Sequence, residues 1–216
     1  ISGIRNRRWK LQEEMTFDVF LDALRGMGVG KALGAEGVSV DWLRNSPTWI
    51  KKLFYEGLVK CATESRFPEE WARIVYVLLK KKRGDQRLVC KRRDIALMAQ
   101  SMKLLGKMIH IETYKRIQHT LHPSQVGWRA AHGATDAAST LGHVIESAAR
   151  LKLSLYILYL DLRVFFPSLK RQVVFAAELL HGLPPEVVRL VAALYAEAVG
   201  QYDSKHGLSH TFDIDV

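Results

Sequence analysis

Asp161 follows directly on Leu155-Tyr156-Ile157-Leu158-Tyr159-Leu160, the end of an almost wholly apolar run from Leu153 that reads as a strand buried on both faces. An ionised carboxylate at the end of such a strand is costly unless something offsets its desolvation. A metal ion, a cation or simple exposure at the strand terminus would each do so. Active centres of α/β sheets often lie just beyond strand ends, where loops expose such groups. The plain alternative is a solvated strand-end residue or helix cap, and spacing alone favours it.

The second chemical feature is positive charge. Lys80-Lys81-Lys82-Arg83 and Lys91-Arg92-Arg93 flank a glycine turn at Gly84, and the chain carries a formal net charge of +10. With a pI near 9.7, the balance favours a polyanionic partner over an acidic metabolite. The alternative is a solvated basic loop. Cys61 and Cys90 stand alone, without a CxxC pair, which fits a reducing, intracellular setting. His206 and His210 have metal-like spacing but lack a cysteine or carboxylate motif around them. No apolar stretch of about 18 residues suggests a membrane span. Both ends read as cut: the start, Ile1 to Arg8, is basic without a signal core, and the last residues stop inside an expected strand.

The elements that must position these groups are mostly helical. At 48% hydrophobic and 25% charged residues, the composition is that of a globular chain and argues against disorder. Its 216 residues suffice for one sizeable core or two small ones. Periodicity predicts an amphipathic helix over Phe17–Leu24, followed by a glycine-rich break from Gly26 to Gly37. A helix opens at Ser46-Pro47, with Ser as N-cap and Pro first, and carries Ile50, Leu53, Phe54, Leu58 and Cys61 on one face up to Pro68. Ile74–Leu79 suits a buried strand. Leu97, Leu104, Leu105, Met108 and Ile111 mark a long helix; Ala137, Leu141, Val144, Ile145 and Ala148 mark another. Helices near Leu169–Leu180 and Pro185–Val199 precede a hairpin around Gly207. The class is helix-rich α+β or α/β, with no Gly/Ser-rich linker to mark a boundary.

Set in order, several stretches resemble the reverse transcriptase domain of non-LTR (LINE-like) retrotransposons. Tyr159-Leu160-Asp161-Leu162-Arg163-Val164-Phe165-Phe166 resembles the first palm motif. Lys31-Ala32-Leu33-Gly34-Ala35-Glu36-Gly37 resembles the Lys-Ala-Pro-Gly-Pro-Asp-Gly opening. Phe67-Pro68-Glu69-Glu70-Trp71, the strand and Lys-rich hairpin Ile74–Lys82, Arg93-Asp94-Ile95-Ala96-Leu97 and the helix from Lys103-Leu104 to Arg116 follow. Gln125-Val126-Gly127-Trp128-Arg129, Thr135-Asp136-Ala137 and Gly207-Leu208-Ser209 complete the series. Each piece is weak alone, and the register of all of them carries the resemblance.

It implies an α+β right-hand polymerase fold: an N-terminal extension over 1–30, a fingers-like region over 31–150 and the first part of the palm over 151–216. Asp161 would ligate Mg²⁺ together with the backbone carbonyl of Leu162, as two-metal nucleotidyl transfer requires. Phe166 would exclude a ribose 2′-OH, and Phe165 would sit at the same dNTP site. Lys80, Lys81, Lys82 and Arg93 would meet the triphosphate. Arg83, Lys91, Arg92, Gln125, Gly127, Trp128 and Arg129 would contact nucleic acid, with Trp128 as a stacking surface; the alternative there is a turn with a buried Trp. The ligands would be an RNA template, a DNA primer and dNTPs.

Departures from the family pattern temper the activity. Arg163-Val164-Phe165 replaces an acidic-basic-small run, Pro167 stands where an Asp is customary, and Arg163 is placed to compete with Mg²⁺ for Asp161. Asp94, Leu33 and Ala35 replace prolines. The Gly-x-x-Gln-Gly and Tyr-x-Asp-Asp motifs are not in the sequence, and Asp213 and Asp215 are not that pair. The expectation is a polymerase fragment that needs a downstream palm and thumb, and Mg²⁺ only in the complete enzyme. The rival is an inactive remnant or a basic nucleic-acid-binding module.

Overall fold

Thr16 and Ser39 start two helices in the same way. Each has an extended backbone, and its hydroxyl accepts the N–H three residues on, from Val19 and Trp42 respectively. One orphan donor of each first turn is thereby satisfied. The computed structural model describes residues 9–80, 92–162 and 168–214. In chain order these form α1 (Leu11–Glu14), α2 (Phe17–Arg25), α3 (Val40–Asn45), α4 (Thr48–Glu64), α5 (Glu69–Ala72), β1 (Arg73–Lys80), β2 (Arg92–Leu97), α6 (Gln100–Ile117), α7 (Ala134–Arg150), α8 (Arg171–Leu180), α9 (Pro185–Ala196), β3 (Val199–Ser204), β4 (Gly207–Leu208) and β5 (Phe212–Asp213). Among them no helix is long and apolar enough to cross a membrane.

The core forms where α2 packs on α6. Phe20, Ala23 and Leu24 share one buried cluster with Leu104, Leu105 and Met108, joined by Leu43, Leu58, Val187 and Leu190 from α3, α4 and α9. Each large side chain buried there contributes about 1.5–3 kcal/mol. Polar ties fix the angles between helices. Glu14 and Arg116 meet at 2.7 Å, fastening α1 to α6. One guanidinium nitrogen of Arg44, from α3, lies 2.7, 3.1 and 2.6 Å from the carbonyls of Leu24, Arg25 and Met27. A cation there meets carbonyls at and just beyond the C-terminus of α2, the negative end of its dipole. Arg44→Met should therefore lower stability by about 2 kcal/mol in urea unfolding, the scale of charged hydrogen bonds to partly buried acceptors. A change under about 0.5 kcal/mol would mean that water replaces the guanidinium at no cost.

The sheet runs β2-β1-β3-β4, with β5 also on β3. β1 and β2 pair antiparallel from Val75↔Leu97 to Lys80↔Arg92, and β1 and β3 pair parallel from Arg73↔Val199 to Val77↔Asp203. One sheet thus takes β1 and β2 from the 31–150 region and the rest from 151–216. The β3–β4 hairpin turns at Lys205-His206 with Gly207 at φ +102°, a backbone region that glycine enters without strain.

Several local expectations change; Leu97 and Val199, expected in helices, lie in β2 and β3. Ser46 caps the end of α3, its hydroxyl donating to the Trp42 carbonyl, and Pro47 (ψ 157°) is the N-cap of α4, so that helix starts at Thr48. It ends at Glu64, where Ser65 turns left-handed (φ 49°), and Pro68 caps α5 instead. Leu53 is exposed, because the buried stripe of α4 runs through Leu58 and Ala62. The largest change concerns Leu153–Leu160. This stretch is not a strand, and all its residues are exposed, Tyr156 at 93%. An extended segment is buried only when neighbours satisfy its backbone and cover both faces, and among the described residues no strand pairs with it. The apolar face of α7 has the expected spacing, yet none of its residues is buried.

Candidate functional site

The residues from Lys31 to Gly37 lie against the junction of β2 and α6. Gly34 presses its backbone on that junction so closely that a Cβ would stand 2.6 Å from the Met98 carbonyl oxygen and 2.7 Å from the Ala99 nitrogen. Glu36 then caps α6: its Oε1 accepts the Ser101 N–H at 2.8 Å, while Oε2 is buried without a partner. A carboxylate at a helix N-terminus satisfies an orphan donor and meets the positive end of the dipole. The Gln100 side chain donates to the Ala32 carbonyl at 2.9 Å, closing the dock from the helix side. Burial holds the Lys103 ammonium below its ordinary value, with Glu36 acting in the opposite direction.

The basic hairpin is partly described. Lys80 faces Arg92 across the ladder and Arg93 faces Leu79. Side chains alternate along a strand, so Lys80 and Arg92 share one face while Arg93 points to the other. The structure therefore brings Lys80 together with Arg92, and does not bring it together with Arg93 on one face. Lys81, Lys82, Arg83 and Lys91 lie outside the described residues, as do Phe165 and Phe166.

Loop 118–133 is held by its own polar groups. Gln125 donates to the Gly127 carbonyl, Arg129 to the His122 carbonyl, and the Tyr114 hydroxyl accepts the Ala130 N–H. Trp128 sits at φ 59° and is 91% exposed, which overturns the reading of a turn with a buried Trp. A non-glycine residue in the left-handed region stores local strain. Here it presents a large ring to solvent. Asp136 reaches back at 2.7 Å to the Gly133 N–H and so starts α7. Phe67 and Trp71 stack with centroids 5.9 Å apart around Pro68.

Asp161 and Leu162 lie on the exposed, irregular segment that follows α7. Magnesium needs several oxygen ligands in fixed geometry. Among the described residues, no three His, Cys, Asp or Glu groups lie together as a metal site would require. Among the described residues these do not make a magnesium site by themselves.

Sequence reasoning missed Gly34 and Glu36 as packing and capping residues, although the acidic residue just before Gly37 was a visible signal. It also missed three rings that meet on the sheet, Tyr76, Tyr202 and Phe212. Nothing local in the sequence pairs them.

No family model matches the chain. Over 192 residues, 89% of its length, it is 25% identical to the "Transposon TX1 uncharacterized 149 kDa protein" of Xenopus laevis. The matched stretch is 15% of that protein, so the chain spans about one-seventh of its relative. The chain is homologous to a transposon-encoded protein.

Proposed function

We propose that this stretch is the fingers and the first part of the palm of a retrotransposon RNA-directed DNA polymerase. Its ligands are a template–primer and dNTPs, and it works only with palm carboxylates carried elsewhere in a longer chain. One observation carries the reading furthest. Lys31–Gly37 fastens through Ala32, Gly34 and Glu36 to Met98, Ala99, Gln100 and Ser101, the joint between Arg93–Leu97 and the helix from Lys103, stretches singled out separately for their resemblance although far apart in sequence. The transposon-encoded relative and the net charge of +10 support the same reading. So do the paired cations Lys80 and Arg92 and the exposed Trp128 ring.

The departures around Asp161 favour a second reading, a basic nucleic-acid-binding remnant without catalysis. Primer extension separates the two. The product of the native transcript, carried through any in-frame Tyr-x-Asp-Asp, is expected to incorporate dNTPs on a primed RNA template. A transcript that lacks that motif, or a product that binds template–primer without extending it, leaves the remnant. In either case, charge reversal at Lys80, Lys81, Lys82 and Arg83 should flatten the salt dependence of binding by about two to three in log–log slope. An unchanged slope would remove the hairpin from the interface.

A further inference from the structure

β1 and β3 pair parallel with Tyr76 opposite Tyr202, which sets two phenol rings side by side on one face of the sheet. β5 adds a third. Phe212 pairs with Gly200, and a Cβ on Gly200 would stand 2.4 Å from the Phe212 ring. Glycine therefore lets that ring lie down on the strand. The centroids are 5.6 Å apart for Tyr76–Tyr202, 5.9 Å for Tyr76–Phe212 and 5.4 Å for Tyr202–Phe212, with interplanar angles of 40°, 29° and 26°. The three rings are outside the buried cluster of the helices. Phe212 is 37% exposed and the two tyrosines are half-buried.

Alternation along the strands places Lys80 on the face of Tyr76, and the ladder puts Arg92 and Asp94 on it too. An aromatic patch on an open sheet with cations at its margin has two complementary parts: flat apolar faces, and charges for an anionic backbone. Single-stranded nucleic acid matches both, because its bases are unstacked and its phosphates run alongside. A duplex hides its base faces and matches only the charge. Asp94, on the same face, would repel a phosphate placed there but can accept hydrogen bonds from amino groups such as those of bases. Burial pushes both tyrosine hydroxyls above their ordinary value, helped by Tyr202 and Asp94 and opposed by Arg171 at Tyr76, and helped by Asp94 at Tyr202.

We propose that Tyr76, Tyr202 and Phe212 form a stacking surface for the bases of a single-stranded nucleic acid whose phosphates run past Lys80 and Arg92. The inference rests on the nucleic-acid reading above and deepens it by naming the part of the sheet that holds an unpaired strand. Stacking against ring faces tolerates any base, so this surface binds without sequence preference.

The test is binding of a labelled oligouridine strand to the protein, with a duplex of the same length as comparison. Tyr202→Leu and Phe212→Leu each remove a ring and should weaken single-strand binding by about tenfold without altering the salt slope. Tyr202→Phe keeps the ring and should stay within about twofold. Photocrosslinking of the unaltered protein to a strand carrying 4-thiouridine should place adducts on β1, β3 or β5. This measurement decides the matter even where a leucine variant fails to fold. Leucine variants that fold and bind as the parent does, a preference for the duplex, or adducts confined to other segments would overturn the proposal. In those cases, binding that still depends on the hairpin cations leaves the nucleic-acid reading standing. Failure to bind any oligonucleotide would sink both.

Discussion

If the proposed polymerase reading holds, Asp161→Asn should abolish primer extension by the longer chain, lowering incorporation by about a thousandfold or more. It should leave template–primer binding within about twofold. The magnitude follows from what a carboxylate does in two-metal nucleotidyl transfer. On that reading Asp161 would help hold the metal ions whose charge assists phosphoryl transfer, a contribution of several kcal/mol to the barrier. Asn keeps the shape and a carbonyl oxygen but loses the charge. In this chain Asp161 lies on an exposed, irregular segment, and template–primer binding by the variant reports whether the longer protein still folds. The assay therefore isolates chemistry from stability. Unchanged extension would make Asp161 a solvated residue and leave the resemblance of its motif without chemical meaning. Extension absent from both forms would support the remnant.

How far the fold was legible follows the range of the signal. Phe17–Leu24, Ala137–Ala148 and the turn at Gly207 carry their information locally, and α2, α7 and the β3–β4 hairpin form where periodicity and glycine placed them. The run Leu153–Leu160 reports only that its residues are apolar. Whether they are covered depends on a neighbour that the run itself does not encode, so its burial was not legible. At Ser46-Pro47 two helices compete for one serine, and it serves the end of the first rather than the start of the second. Of the candidate site, the basic character of the hairpin was plain. The division of Lys80 from Arg93 between two faces was not, because it depends on register. Least legible was Tyr76 beside Tyr202, which needs a parallel pairing between strands separated by most of the chain. Resemblance speaks where composition is silent, and then only of order along the chain. It located Lys31–Gly37 but gave no hint that Glu36 caps α6.

Gly34→Ala is expected to destabilise by about 2–3 kcal/mol, read as a lower urea midpoint with an unchanged m-value. The added carbon would lie 2.6 Å from the Met98 carbonyl oxygen and 2.7 Å from the Ala99 nitrogen and the Met98 carbonyl carbon, which are all backbone atoms. No rotamer change relieves such a contact. Either the 31–37 segment lifts away, losing the Glu36 cap and the Gln100 bond, or the start of α6 shifts beneath it. Gly57→Ala is the internal control. That glycine sits within α4 with nothing within 4 Å of its would-be Cβ. The same methyl there should stabilise by about 0.5–1 kcal/mol, since alanine is the better helix former. Opposite signs at the two positions would show that close approach, rather than glycine as such, is what position 34 requires. Equal effects would mean that the segment docks loosely, and would remove the contact on which the polymerase reading leans most. Glu36→Ala distinguishes the two ways in which the dock can fail. If the segment stays seated, only the cap is lost, at about 1 kcal/mol. If seating depends on the carboxylate, the loss approaches that of Gly34→Ala, and the double variant costs little more than either single one.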